Sequence, residues 1–120
     1  TYTLEFHPEQ LGLDVPPRIF RDKIMEALTA EGVPNTRWQR MAVPSQAIFQ
    51  SREGYGKGCP WSCSYSRPDI EYHTEDYPIT NRFVDRNVYI LGIYPPNGED
   101  LMELYVAAIR KVLQNARELC

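Results

Sequence analysis

The sequence has no apolar run approaching the roughly 20 residues that a membrane-spanning helix requires, and no basic, apolar leader of the secretory kind opens it. Cysteine is scarce: Cys59, Cys63 and Cys120 are all there is. An odd count without an export signal fits a reducing cytosol and argues against a disulfide-stapled secreted scaffold. Basic charge is not in excess either. Thirteen Lys and Arg stand against sixteen Asp and Glu, for a net charge of −3, so the overall balance does not favour nucleic acid. There is no internal repeat. These absences lead us to expect a cytoplasmic chain with neither nucleic acid nor a membrane as partner. The first residue is Thr1, not Met, which points to a processed chain or a piece of a longer one.

What is present is ordinary for a folded domain. A length of 120 residues with 42% hydrophobic and 24% charged residues supports one domain, 1–120, with a real core and is too short for two. The closing stretch is the most regular. Leu101, Leu104, Tyr105, Ala108, Ile109, Val112 and Leu113 recur at three-then-four spacing, while Glu103, Arg110, Lys111, Gln114 and Arg117 fall opposite. That pattern predicts an amphipathic helix from Asn97, its cap, to Leu119. Val88-Tyr89-Ile90-Leu91, just before it, predicts a strand.

The rest of the chain supplies partners for that helix. Thr1 to Phe6 alternates, with Tyr2, Leu4 and Phe6 on one side, and predicts a half-buried strand ended by His7-Pro8. Glu9 to Val15 is a connector. Pro16 and Pro17 suit the first turn of a helix whose buried face is Ile19, Phe20, Ile24, Ala27 and Leu28, with Gly32 as its left-handed stop. Asn35 onward predicts a second strand through Arg37, Trp38 and Gln39, and Pro44 to Gln50 a short helical turn. Ser51 to Glu71 is too rich in glycine and proline for a regular element. A loop of that length is uncommon unless it binds something or is disordered, and Tyr55, Trp61 and Tyr65 argue against plain disorder. Tyr77-Pro78 opens a short helix with Ile79, Phe83 and Val84 inward. The order strand, helix, strand, loop, short helix, strand, helix predicts an α/β (α+β) two-layer sandwich, with about three strands and two long helices on one face.

Several constellations suggest chemistry, each beside a plainer reading. Arg37, Arg40, Arg52, Lys57 and Arg67 outnumber the single acid Glu53 between Arg37 and Arg67. They form a stretch able to face an anion, or simply a solvated loop. Cys59 and Cys63 are separated by three residues, not the two of a zinc knuckle. His7 and His73 could complete four ligands, but their spacing matches no finger pattern, so loop packing or free thiols are expected and no metal. Gly54-Tyr-Gly-Lys-Gly58 lacks the spacing and the Ser or Thr of a phosphate loop. Asp69, Glu71, Glu75 and Asp76 could do acid–base work, but read more simply as a solvated acidic turn before the Pro78 helix.

Taken in order, the segments TYTLEFHPEQLGL, IMEALTAEGVP, RWQRMAVPSQAIF, YPITNRFVDRNVYIL and LMELYVAAIRKVLQN resemble the C-terminal small domain of the DegT/DnrJ/EryC1/StrS family, the pyridoxal-phosphate-dependent sugar and cyclitol aminotransferases. The stretch AEGVPNTRWQ is similar to the glutamine-dependent inosose aminotransferases within it. The resemblance spans essentially the whole chain. It implies the small-domain fold of type I aminotransferases. The implied function is one wall of an active-site cleft for a keto-sugar or keto-cyclitol, together with part of a homodimer interface. Arg37, Trp38 and Gln39 would border that cleft, Arg as a two-pronged donor to a carboxylate or phosphate and Trp as a flat wall for a sugar ring. The plainer reading is a strand with a buried Trp and exposed charges. Tyr55, Lys57 and Trp61 would be further wall residues.

The departures also matter. The family's pyridoxal phosphate is held by a large N-terminal domain, which this sequence lacks, and none of Lys23, Lys57 and Lys111 lies in a segment resembling the Schiff-base lysine motif. Asn81 stands where the family often has Glu, and Tyr94-Pro95-Pro96-Asn97-Gly98 replaces a Leu/Gly-rich turn. No catalytic, cofactor-binding or metal-ligating residue is therefore expected in this chain, which should be inactive without its companion domain. The alternative is a stand-alone, non-catalytic interaction module derived from that domain and working through loop 51–71.

Overall fold

The computed structural model describes residues 2–67 and 69–120; the expectations that included Thr1 and Pro68 fall partly outside them. The described chain is mixed α/β, with four helices and a three-stranded antiparallel sheet, an α+β arrangement. It gathers into two compact units, one up to Trp38 and again from Asp85 to Cys120, the other Gln39–Val84. Among the described residues, no helix is long and apolar enough to cross a membrane.

The first unit holds the sheet. Strand β1 (Tyr2–Glu5) and strand β2 (Asn35–Thr36) flank the central β3 (Asn87–Ile90). Leu4 pairs with Val88, Tyr2 and Asn35 with Ile90, and Thr3 and Thr36 with Tyr89. Because side chains alternate along a strand, Val88 and Ile90 share one face and Tyr89 takes the other. Val88 and Ile90 are buried with Phe20, Ile24 and Leu28 of helix α1 (Pro17–Ala30) and Val112 of helix α4 (Glu99–Gln114). Phe6 closes the same core, its ring edge-on to Phe20 at 6.3 Å between centroids.

Local chemistry explains the element ends. Proline at the first positions of α1 gives up an N–H that would be unpaired there anyway. Gly32, with φ +81°, turns the chain out of α1 in a conformation that a Cβ disfavours. The Val33 N–H then bonds back to the Leu28 carbonyl at 2.9 Å. Pro8–Leu11 forms a 3-10 turn that runs into the expected connector, Glu9 to Val15. The start of α4 differs from expectation. Gly98 is its N-cap, and the Asn97 amide instead donates to the Gly92 carbonyl at 2.6 Å, which ties down the turn before the helix.

Strand β2 stops at Thr36, so Arg37, Trp38 and Gln39 lie beyond it and not within it. Two side-chain contacts accompany the break: Arg37 pairs with Asp22 of α1 at 3.2 Å, and the Trp38 ring lies against Tyr89. The buried stripes also differ from the periodic reading. Ile19, Leu104 and Leu113 are exposed, whereas Arg21 is buried. Its guanidinium donates to the Asp22 carboxylate at 2.7 and 2.9 Å, keeping the charge paired where water is excluded.

One ionic clasp ties the start of the chain to the approach to β3. Arg86 Nη1 donates to both Glu9 carboxylate oxygens, at 2.8 and 3.0 Å, and to the Phe6 carbonyl at 3.2 Å. The Arg86 hydrogen bond, helped by the Glu9 backbone N–H and by His7, lowers the Glu9 pKa from 4.5 to about 2. A carboxyl whose folded pKa is depressed adds stability above its unfolded value and loses it as the pH falls through the folded one. The wild-type chain should therefore lose stability between about pH 4.5 and about pH 2 by this route. Glu9→Gln should flatten that part of the profile in acid unfolding followed by circular dichroism. An unchanged profile would show that the clasp does not contribute.

The second unit is built from short pieces. A 3-10 turn at Val43–Ser45 leads into helix α2 (Ala47–Ser51), and a second turn at Thr74–Asp76 precedes helix α3 (Pro78–Arg86), whose last residues pass into the first unit. Ile79 and Phe83 are exposed and only Val84 of the expected inward set is buried.

Candidate functional site

The sheet face that carries Tyr89 is open in the first unit. Tyr89 sits between Thr3 and Thr36 on that face, and the Trp38 ring lies over it at 6.2 Å between centroids, tilted by 46°. Thr36, Trp38, Tyr89 and Leu91 line a cavity of about 320 Å³. Trp38 is 73% exposed, so the plainer reading of a buried tryptophan is not what forms. Chemically the patch is a pair of inclined aromatic rings beside a threonine, able to take the apolar face of a ring that also carries hydroxyls.

Arg37 is adjacent in sequence but differently engaged. Its Nη1 lies on Asp22 Oδ1, which also receives Arg21. A guanidinium so held has part of its fork occupied, and an incoming carboxylate or phosphate would compete with Asp22 for it. The guanidinium is still partly exposed, with 31% of the side chain accessible.

The other expected wall residues belong to the second unit. Gln39 Oε1 accepts a hydrogen bond from Gln46 Nε2 at 3.3 Å. Trp61 is half-buried in an aromatic cluster with Phe49, edge-on at 6.1 Å, and its Nε1 donates to the Tyr72 hydroxyl at 3.1 Å. Phe49 also meets Tyr72 at 5.4 Å. Trp61 therefore anchors its loop. Tyr55 is 94% exposed, and Lys57 is exposed with φ +54°. Gly54, just before Tyr55, is required: its φ is +54°, and a Cβ there would collide with the Cys59 carbonyl and the Trp61 ring.

The six residues thus fall into two groups, Arg37 and Trp38 in one unit and Gln39, Tyr55, Lys57 and Trp61 in the other. Sequence reasoning missed the partners that define each group. Tyr89 was detectable from strand alternation, since it faces away from Val88 and Ile90. Asp22, Phe49 and Tyr72 carry no local signal, because they meet their partners only after folding.

The remaining ionisable groups lie at surfaces. The acids Asp69, Glu71, Glu75 and Asp76 are exposed, and Glu71 pairs with His73 at 2.9 Å. Cys59, Cys63 and Cys120 are free thiols. Among the described residues no cluster of three or more His, Cys, Asp or Glu side chains could hold a metal ion. All three lysines are exposed, and the Lys111 ammonium is bound to the Glu31 carboxylate at 2.8 Å. An amine that must attack a carbonyl needs a desolvated setting that lowers its pKa. These lysines do not fit the anchor of a pyridoxal phosphate. No family model matches the chain, and no curated protein matches it.

Proposed function

We propose that this chain is the small domain of a pyridoxal-phosphate-dependent aminotransferase of the DegT/DnrJ/EryC1/StrS kind. In this reading the three-stranded sheet and the two long helices form a two-layer sandwich with α1 and α4 on one face. The open face is one wall of a cleft for a keto-sugar or keto-cyclitol. The cofactor and its lysine belong to a companion large domain, on the same or a separate chain, and the whole enzyme is a homodimer. The observation that carries the reading is the open sheet face: an isolated domain would gain by covering the Trp38–Tyr89 patch, whereas a cleft wall must leave it bare. The strand and helix order supports it as well.

The test uses the complete gene product. Its mass should exceed that of residues 1–120 by a cofactor-binding domain, and it should transfer an amino group to a keto-sugar or keto-cyclitol. Trp38→Ala should lower its kcat/KM about tenfold, the equivalent of roughly 1.4 kcal/mol of transition-state binding. The unfolding midpoint should barely move, because the ring is largely exposed. An unchanged kcat/KM removes Trp38 from the wall. A lysine-dependent absorption band formed by the isolated chain with pyridoxal phosphate overturns the division of labour.

A second reading has its own support. Tyr55 and Tyr65 are 94% and 97% exposed on loop 51–71, as a stand-alone interaction module would present them. A gene product that begins near Thr1 and binds no cofactor favours that module.

A further inference from the structure

We propose that the outer face of α4 is a self-association surface, taking the α4 helix of a second copy of this chain in antiparallel alignment. Two shallow grooves run along this face. One, of about 400 Å³, is lined by Glu99, Met102, Glu103, Val106, Ala107 and Arg110. The other, of about 490 Å³, lies between the helix and strand β1, where Tyr2, Leu4, Ile109 and Leu113 meet the same Val106 and Arg110. Val106 and Leu113 are 52% and 37% exposed, and Tyr2 is 60% exposed. Glu99, Val106 and Leu113 recur every seven residues along α4, and Glu103 and Arg110 are spaced likewise. Such a stripe is the kind that a second helix covers.

Charge decides which helix that is. Two other basic side chains near this end are engaged: Lys111 of α4 pairs with Glu31, and Arg117, in the 3-10 turn Ala116–Leu119 after the helix, donates to the Leu11 carbonyl at 2.9 Å. Glu103 and Arg110 have no ion-pair partner among the described residues. They carry opposite charges, two turns apart, with Val106 and Ala107 midway. A two-fold axis through that midpoint sets Glu103 against Arg110 of the second copy, and Arg110 against its Glu103. The small Ala107 lies at the centre, where the two backbones approach most closely. The surface is thus complementary to itself, as a two-fold interface must be. A parallel alignment would place each charge against its own like.

The pairing stands whether or not the chain belongs to a transaminase. Its test is sedimentation equilibrium of the chain over a range of concentrations, with circular dichroism confirming that each variant folds. A monomer–dimer equilibrium is expected, weakened by added salt. Glu103→Arg and Arg110→Glu should each raise the dimer dissociation constant roughly tenfold or more, since each sets like charges across the axis. The double variant E103R/R110E restores both pairs with their signs reversed, and should recover most of the loss. A chain that stays monomeric throughout, or a double variant no better than either single one, overturns the proposal.

Discussion

Asp22→Ala is expected to destabilise the chain by about 2–3 kcal/mol, well above the cost of a typical surface substitution. The carboxylate is partly exposed, with 40% of the side chain accessible, but it serves Arg21, whose own side chain is 2% accessible, and Arg37 as well. Removing it takes away the carboxylate that accepts two hydrogen bonds from a buried guanidinium, which keeps its charge. Arg21→Met removes the buried charge itself and replaces it with a flexible apolar chain, so it should cost much less. Urea unfolding of the two variants checks this asymmetry. A loss in Asp22→Ala no larger than that in Arg21→Met would show that the buried guanidinium does not depend on this carboxylate.

Leu28→Ala should cost about 2–5 kcal/mol, while Leu104→Ala should stay within about 0.5 kcal/mol of the parent. The chemistry removed is identical, and both leucines sit on the apolar stripe of a helix. Leu28 is 0% exposed and packs among Phe20, Ile24 and Val88, so its loss leaves a cavity; Leu104 is 66% exposed. Chemical denaturation at low protein concentration measures both. A large loss at Leu104 would show that its side chain is covered in solution.

That contrast marks where a one-dimensional pattern stops being informative. Periodicity states that α4 has an apolar side, and it places Leu101, Tyr105, Ala108, Ile109 and Val112 correctly toward the body. It cannot state how wide the covering surface is. Leu104 and Leu113 fall at the edges of the stripe, and the neighbours present do not reach them. Ile19 of α1 and Ile79 of α3 fail for the same reason. Arg21 fails in the opposite sense. An arginine reads as surface in any sequence, and the Asp22 carboxylate beside it, together with the packing around it, helps make its burial tolerable.

The candidate site shows the same division. Trp38 attracted notice as an aromatic residue beside an arginine, yet its position depends on β2 ending at Thr36 and on Tyr89 standing ready on the central strand. Trp61, ranked beside it from sequence, turns out to hold its own loop through Phe49 and Tyr72.

By itself the sequence determined the kind and order of the elements: the prolines that start helices, the glycine that stops α1, and the alternation that makes β3 two-faced. These are local, because backbone sterics and side-chain spacing act within a few residues. Only the tertiary structure decided which apolar positions are covered, where β2 breaks off, which carboxylate neutralises Arg21, and which aromatic ring lies under Trp38. Most of those join residues distant in the chain, and even the neighbouring Arg21 and Asp22 owe their pairing to the packing that buries the guanidinium, so these energies exist only once the chain has closed on itself.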